Sequence, residues 1–166
     1  MNERLLHRKS EKEIYGLRTA SISDLEFLFR VSTEAMKPVN TALNSDKNFD
    51  QEEEFKKYQS KFVPEEIEII TYSNQDIGRL RVVRNSDCIY IGGIQILPEF
   101  QGKGIGTALF SDLIRESNKN NVPITLEVHD VNVNALKFYT NLGFEKGGHE
   151  GNKARMQYTP VLSSEI

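Results

Sequence analysis

The segment with the clearest chemical meaning is a glycine-rich stretch, Gln101-Gly102-Lys103-Gly104-Ile105-Gly106-Thr107, which follows an apolar run ending at Leu97. Glycine lets the backbone adopt positive φ angles and approach a ligand closely. The residues after this stretch have a helical pattern, and the start of a helix presents unpaired N–H groups with about half a positive charge. A strand, a glycine turn and a helix in this order are suited to binding a pyrophosphate.

Other interpretations of the stretch stay open. The glycines could serve only to let the helix pack on the strand. A P-loop is a poorer fit, because its Ser or Thr after Gly-Lys is replaced here by Gly104. A dinucleotide fingerprint started at Gly102 has Thr107 where its last glycine should stand. The fingerprint also requires an acidic residue about twenty residues further on. Glu127 and Asp130 lie near that position, so this requirement neither supports nor excludes dinucleotide binding.

Composition narrows the class of protein. With 166 residues and a net charge of −3, the chain predicts one domain without a general attraction to nucleic acid or anionic membranes. The single cysteine, Cys88, excludes an intramolecular disulfide, and no apolar run approaches the ~20 residues of a membrane-spanning helix. The N-terminal residues lack the pattern of a secretory signal, so a cytoplasmic protein is expected.

Hydrophobic periodicity predicts the elements that would position the glycine turn. The polar residues 1–13 are expected to form a flexible arm, and 14–166 a single domain. A capping box at Ser23 predicts a helix that Pro38 ends, and a second helical pattern covers Phe49–Phe62. The remaining helices are expected at 104–118 and 132–142, with strands at 14–20, 67–72, 77–84, 88–97, 124–128, 144–147 and 153–159. This order is typical of an α/β domain with a mixed sheet.

Two motifs together resemble one family. Gln101-x-x-Gly104-x-Gly106 is similar to the Q/R-x-x-G-x-G/A signature of the GNAT superfamily of acetyl-CoA-dependent N-acetyltransferases. The segment Asn132–Phe144, NVNALKFYTNLGF, resembles that family's N-x-x-A-x-x-F/L-Y-x-x-L-G-F. The resemblance implies the GNAT fold, with a mixed, mostly antiparallel central sheet of about seven strands flanked by about four helices.

The resemblance also implies where acetyl-CoA, the cosubstrate, would bind. The pyrophosphate would lie on the amides of the glycine loop, and the pantetheine arm would pair with the strand before it. A backbone N–H near Ile94 would polarise the thioester carbonyl. The implied coenzyme contacts are Ile94, Ile96, Gln101, Gly102, Lys103, Gly104, Gly106, Thr107, Asn132, Asn134 and Tyr139. No metal is implied.

Two catalytic roles follow from the same resemblance. Tyr139 would act as general acid to the leaving thiolate, and its alternative is a packed aromatic residue. Glu127, twelve residues earlier, resembles the strand Glu of the branch that acetylates protein N-termini and would be the general base. Its alternative is a solvent-facing strand residue, and His129 is another candidate base. A base is expected because an alkyl amine with a pKa of ~10.4 costs ~4.6 kcal/mol to deprotonate at pH 7.

The resulting hypothesis is an enzyme that transfers the acetyl group of acetyl-CoA to a primary amine by direct attack in a ternary complex. The acceptor, a small amine or a peptide amine, is not identified by any motif. Two alternatives are a non-catalytic acyl-CoA-binding or regulatory module and a nucleotide-binding protein. The prediction includes no nucleic-acid or membrane partner and leaves a homodimer open.

Overall fold

The computed structural model describes residues 4–10 and 13–162, which form eight strands and four α-helices. The strands are β1 (Arg4–Ser10), β2 (Glu13–Thr19), β3 (Glu68–Tyr72), β4 (Gln75–Arg84), β5 (Ile89–Ile96), β6 (Ile124–His129), β7 (Glu145–Glu150) and β8 (Lys153–Tyr158). The helices are α1 (Leu25–Ala42), α2 (Gln51–Ser60), α3 (Ile105–Asn120) and α4 (Val133–Asn141). Hydrogen-bonded strands follow the order β1-β2-β3-β4-β5-β6-β8-β7. The mixed-sheet α/β prediction is confirmed.

The N-terminal residues differ from the prediction. A flexible arm was expected over 1–13, whereas β1 occupies Arg4–Ser10 and pairs antiparallel with β2. The sheet therefore has eight strands instead of about seven. The sequence did not predict this strand because residues 4–10 lack a clear alternation of apolar and polar residues. Pairing of the backbone with β2 leaves no such pattern in the sequence.

The first long helix also differs from the prediction. Pro38 was expected to end it, but α1 continues to Ala42 with the proline inside. A proline inside a helix removes one N–H donor and one hydrogen bond. The last turn is nevertheless held, because Val39 is buried and the amide of Leu43 donates to the Val39 carbonyl at 3.0 Å.

The chain divides into two compact units, and the first contains Met1–Arg81 with Ile94–Lys103. Its strands β1 to β4 pair antiparallel in sequence order. One core cluster joins α1 to β3 through the fully buried Leu28 and Ile69. Tyr58 and Phe62, at α2 and just after it, pack against the same cluster, so both helices cover this part of the sheet.

The second unit contains Val82–Gly93 with Gly104–Ile166. Here β6 pairs parallel with β5 and antiparallel with β8, which pairs antiparallel with β7. Alternate residues of β6 and β8 are buried on one face: Ile124, Leu126, Val128, Ala154, Met156 and Tyr158. Aromatic residues of α3 and α4 pack on that face through Phe144 and Tyr158, whose ring centroids are 5.8 Å apart.

Within the first unit, β4 approaches the end of β5 closely at Gly78. A Cβ built on Gly78 would lie 2.4 Å from the carbonyl oxygen of Gln95 and 3.2 Å from the Cα of Ile96. Both atoms belong to the backbone, so a side chain there cannot be accommodated by a rotamer change. The absence of a Cβ at this position is a packing requirement.

Replacing Gly78 with Ala should therefore lower the free energy of unfolding by about 3 kcal/mol, since overpacking a core forces the backbone apart. Chemical denaturation measures this. Gly148→Ala is the control, because no atom lies within 4 Å of its added Cβ, and we expect a change within about 0.5 kcal/mol. Equal stability of the two variants would contradict the assigned packing.

Candidate functional site

The glycine-rich loop has the backbone conformation that its sequence suggests. A short 3-10 turn, Pro98–Phe100, follows β5, and the next residues lead directly into α3. Gly102 has a φ of 75° and Gly104 a φ of 81°, both in the left-handed region that other residues rarely adopt. Gly102, Lys103 and Thr107 are exposed, so the loop and the start of the helix face solvent.

The side chain of Gln101 has a structural role in the first unit. Its Nε2 donates a hydrogen bond of 2.8 Å to the carbonyl oxygen of Ile96. This contact fixes the loop to the last residue of β5. Of the coenzyme contacts implied by the resemblance, Gln101 is thus one whose side chain is already hydrogen-bonded within the protein.

The start of α3 differs from the starts of α2 and α4, whose N-cap side chains each accept a backbone hydrogen bond. The side chain of Asp50 accepts a hydrogen bond from the Glu53 amide at the start of α2, and Asn132 does the same for Ala135 at the start of α4. The N-cap of α3 is Gly104, which has no side chain to cap it, and the first turn contains no acidic residue. The amides of its first turn are therefore free to bind an anion from outside the chain.

Gly106 has a different reason for being glycine. Its backbone is not left-handed, but a Cβ built on it would lie 3.4 Å from the Cζ of Phe138. This is an ordinary van der Waals distance, so a methyl group would be in contact with Phe138 and the first turn of α3 lies against α4. This contact lies entirely in the second unit, and it relates the start of α3 to the helix that carries Tyr139.

Tyr139 is the buried residue of α4 and is surrounded by aromatic rings. Its ring centroid lies 5.4 Å from that of Phe110, 5.4 Å from that of Phe138 and 5.7 Å from that of Phe144. Burial raises the pKa of its hydroxyl to about 12. Tyr139 is therefore a neutral phenol at ordinary pH, which can donate a hydrogen bond, and both predicted roles, packing and donation, are compatible with its position.

Glu127 lies on the other face of the second unit's sheet. It is the exposed residue of β6, between the buried Leu126 and Val128, whereas the rings around Tyr139 pack on the buried face. Glu127 lines a cavity of about 400 Å³ together with Tyr90 and Arg155, and Tyr139 is not among the residues that line it.

The neighbour of Glu127 in the sheet is a cation that the sequence did not indicate. Arg155 is paired with Glu127 in the register of β6 and β8, and its guanidinium donates a hydrogen bond of 2.8 Å to Glu150. The hydrogen bond to Glu150 raises the pKa of Arg155, and the charge of Glu127 makes a smaller contribution in the same direction. The pairing of two distant strands brings these groups together, so no local motif could have predicted the contact.

The other predicted residues lie in β5, at the start of α4 and at the end of β6. Ile94 and Ile96 are half-buried in β5. The pairing of β5 with β6 covers Ile89–Ile91. Asn132 caps α4 by accepting a hydrogen bond from the amide of Ala135, and Asn134 is exposed. His129 is half-buried, and its Nδ1 has no hydrogen-bond partner among the described residues.

In the described part of the chain, no group of three or more His, Cys, Asp and Glu side chains is placed to share a metal ion. None of the helices described is both long and apolar enough to cross a membrane.

Comparison with solved structures identifies similar folds. A PaiA N-acetyltransferase from Thermoplasma acidophilum, solved with coenzyme A, is 20% identical with a TM-score of 0.67, and the match covers 87% of this chain and 98% of that one. The ribosomal-protein-S18-alanine N-acetyltransferase from Escherichia coli is 20% identical with a TM-score of 0.62, covering 91% and 97%. An N-acetyltransferase from Staphylococcus aureus is 17% identical with a TM-score of 0.66, covering 86% and 99%. At these identities the likeness concerns the fold.

Comparison of the sequence with curated proteins gives no match. The family comparison is more specific, because residues 35–162 match the acetyltransferase (GNAT) domain family. That range contains the glycine loop, β6 and all of α4, and it covers most of the chain. Together with the strand order and the free start of α3, this match shows that the chain belongs to the GNAT acetyltransferase family.

Proposed function

We propose that the protein transfers the acetyl group of acetyl-CoA to a primary amine by direct attack in a ternary complex. The observation that carries the proposal is the uncapped start of α3, entered through two glycines with positive φ, in a chain of this family. The coenzyme A reported with the T. acidophilum PaiA enzyme supports the choice of coenzyme. The amides that follow Gly104 would hold the pyrophosphate, because each hydrogen bond to a charged group contributes about 1.5–3 kcal/mol.

In the proposed reaction a neutral amine attacks the thioester carbonyl while the chain stabilises the charges that develop. The N–H of Ile94 would donate to the carbonyl oxygen as it gains negative charge. Tyr139 would donate a hydrogen bond to the departing sulfur. Full proton transfer is disfavoured, since moving a proton from a phenol with a pKa of about 12 to a thiolate of pKa ~8.5 costs about 5 kcal/mol. The expected role of Tyr139 is therefore hydrogen-bond donation.

Glu127 is the proposed route for the proton of the amine. Its exposed carboxylate lies in a cavity that solvent reaches, so a water chain could carry the proton to it. Since Glu127 and the rings around Tyr139 are on different faces of the second unit's sheet, we propose that Glu127 takes the proton of the amine through this water chain and not by direct contact, while Tyr139 acts on the sulfur.

Gly102→Ala should weaken coenzyme A binding by about tenfold or more, the equivalent of one lost hydrogen bond to a charged group. Gly151→Ala is a matched control, because both glycines have positive φ, 75° and 58°, and no atom lies within 4 Å of either added Cβ. Both variants should lose similar stability, and calorimetry with coenzyme A should separate them. Equal affinity of the two variants would remove the loop from the binding site.

Tyr139→Phe should lower kcat by about 10- to 100-fold, because a hydrogen bond to a developing thiolate is lost. Affinity for coenzyme A should change little. Thiol release from acetyl-CoA across a panel of primary amines measures turnover. Tyr158→Phe is the control, since it removes a hydroxyl that donates to Asn118 from the same aromatic group and should affect stability alone. Coenzyme binding by the unmodified protein without turnover on any amine would favour the non-catalytic alternative.

Glu127→Gln should lower kcat/KM by about 100-fold and shift the acidic limb of its pH profile, because the amide accepts no proton. The exposed Glu145→Gln on β7 is the control and should leave both unchanged. A profile with its acidic limb in the original place would assign proton removal to His129 or to water.

A further inference from the structure

A second cavity lies wholly within the first unit. It has a volume of about 500 Å³, is open to solvent and is lined by α1, α2, the segment after α2 and one side of β4. Much of its wall is apolar, with Phe29, Met36, Phe62 and Ile67 contributing side chains. The family motifs do not extend to any residue that lines it.

Three polar atoms in the wall of this cavity are buried without a hydrogen-bond partner in the described part of the chain. They are Nε of Arg79 on β4, the hydroxyl of Tyr58 on α2 and the hydroxyl of Ser32 on α1. Each unsatisfied buried donor is costly, because its hydrogen bonds to water are lost and not replaced. Three such donors on residues from three elements around one cavity are left without an acceptor in the described residues, which is the arrangement that a ligand with acceptor atoms would complete.

The charge around Arg79 indicates the sign of that ligand. Burial lowers the pKa of Arg79, the nearby Tyr58 partly offsets this, and the nearby Arg81 lowers the pKa further; no carboxylate among the described residues contributes. Its Nη1 donates to a neutral acceptor, Oε1 of Gln95, at 2.9 Å. Arg79 is thus a guanidinium with a buried Nε and without a counter-ion in the described residues.

The carboxylates that line the cavity are already paired. Oε1 of Glu54 lies 3.0 Å from Nζ of Lys57, and Oε2 of Glu66 lies 2.9 Å from the guanidinium of Arg81. Neither is therefore available as the partner of Arg79 without breaking an existing ion pair. The cavity has an excess of positive charge and of hydrogen-bond donors.

We propose that this cavity binds the carboxylate of a small molecule with an apolar body. A guanidinium matches the two oxygens of a planar carboxylate, and the hydroxyls of Tyr58 and Ser32 can donate to the same group. The apolar wall accommodates the remainder of the molecule.

One extension of this inference rests on the proposed function. Arg79 is hydrogen-bonded to Gln95, which lies between Ile94 and Ile96, the two residues proposed to pair with the pantetheine arm. A carboxylate on Arg79 would therefore place its molecule beside that strand. The carboxylate then belongs either to the acceptor amine itself or to a separate ligand, and the experiment distinguishes these two sources.

The test uses the full chain with 3-methylbutyrate as the probe and 3-methylbutanamide as its uncharged match, measured by calorimetry without coenzyme. We expect saturable binding of the carboxylate, little binding of the amide, and at least about a hundredfold weaker carboxylate binding in Arg79→Met. Tyr58→Phe, which removes only a hydroxyl, should weaken binding about tenfold even if Arg79→Met fails to fold.

Lys61→Met is the matched control. Lys61 is an exposed cation at the same cavity, so its loss should change the affinity less than about threefold. Absence of saturable binding, equal binding of the amide, tighter binding of inorganic phosphate, or carboxylate binding unaffected by Tyr58→Phe would each overturn the proposal.

A second arm identifies the source of the carboxylate. Thiol release from acetyl-CoA with leucine but not with leucinamide would assign the carboxylate to the acceptor, and probe binding without thiol release would assign it to a separate ligand. Coenzyme A affinity should be unchanged in Arg79→Met. If 3-methylbutyrate does not bind, the proposed acetyl transfer is therefore unaffected. If coenzyme A does not bind, binding of 3-methylbutyrate is still expected.

Discussion

The contacts of Phe110 with α4 are the interaction on which the second unit's part of the proposed reaction depends. Phe110 is fully buried in α3, and its ring lies within 6 Å of the rings of Phe138, Tyr139 and Phe144. Aromatic pairs in this edge-to-face geometry contribute about 0.5–1.5 kcal/mol each beyond the burial of their surface. The group therefore fixes α3 relative to Tyr139, so that in the proposed complex a coenzyme held by its pyrophosphate at the start of α3 would present its sulfur to Tyr139.

Burial in this aromatic group has an electrostatic consequence for the proposed chemistry. The same rings that fix Tyr139 remove water from it and raise its pKa to about 12. A less acidic phenol is a poorer proton donor but keeps its proton at ordinary pH. Rigid placement and hydrogen-bond donation are thus obtained together, at the expense of acid strength.

The sequence predicted local features well and distant pairings poorly. The glycine loop, the cap at Asn132 and the strand alternation of β6 each depend on neighbouring residues, and the corresponding elements are in the structure. The strand β1 was missed because it depends on pairing with β2. The extension of α1 past Pro38 was missed because burial of Val39 outweighs the local preference of proline.

The candidate sites show the same contrast between local motifs and distant contacts. The residues of the glycine loop could be named from a motif. In contrast, strand pairing places Arg155 beside Glu127, and helix packing brings together the donors around Arg79. A buried arginine without a carboxylate has no local sequence signature, since the missing partner is what defines it.

The different reasons for the glycines in the loop account for the variation that the family signature allows. At Gly104 the backbone is left-handed, so a side chain there would strain the chain whatever surrounds it. At Gly106 a methyl group would meet Phe138 at 3.4 Å, an ordinary van der Waals distance. The signature allows alanine at its last position, where the limit is the size of the side chain. It requires glycine two residues earlier, where the limit is the left-handed backbone.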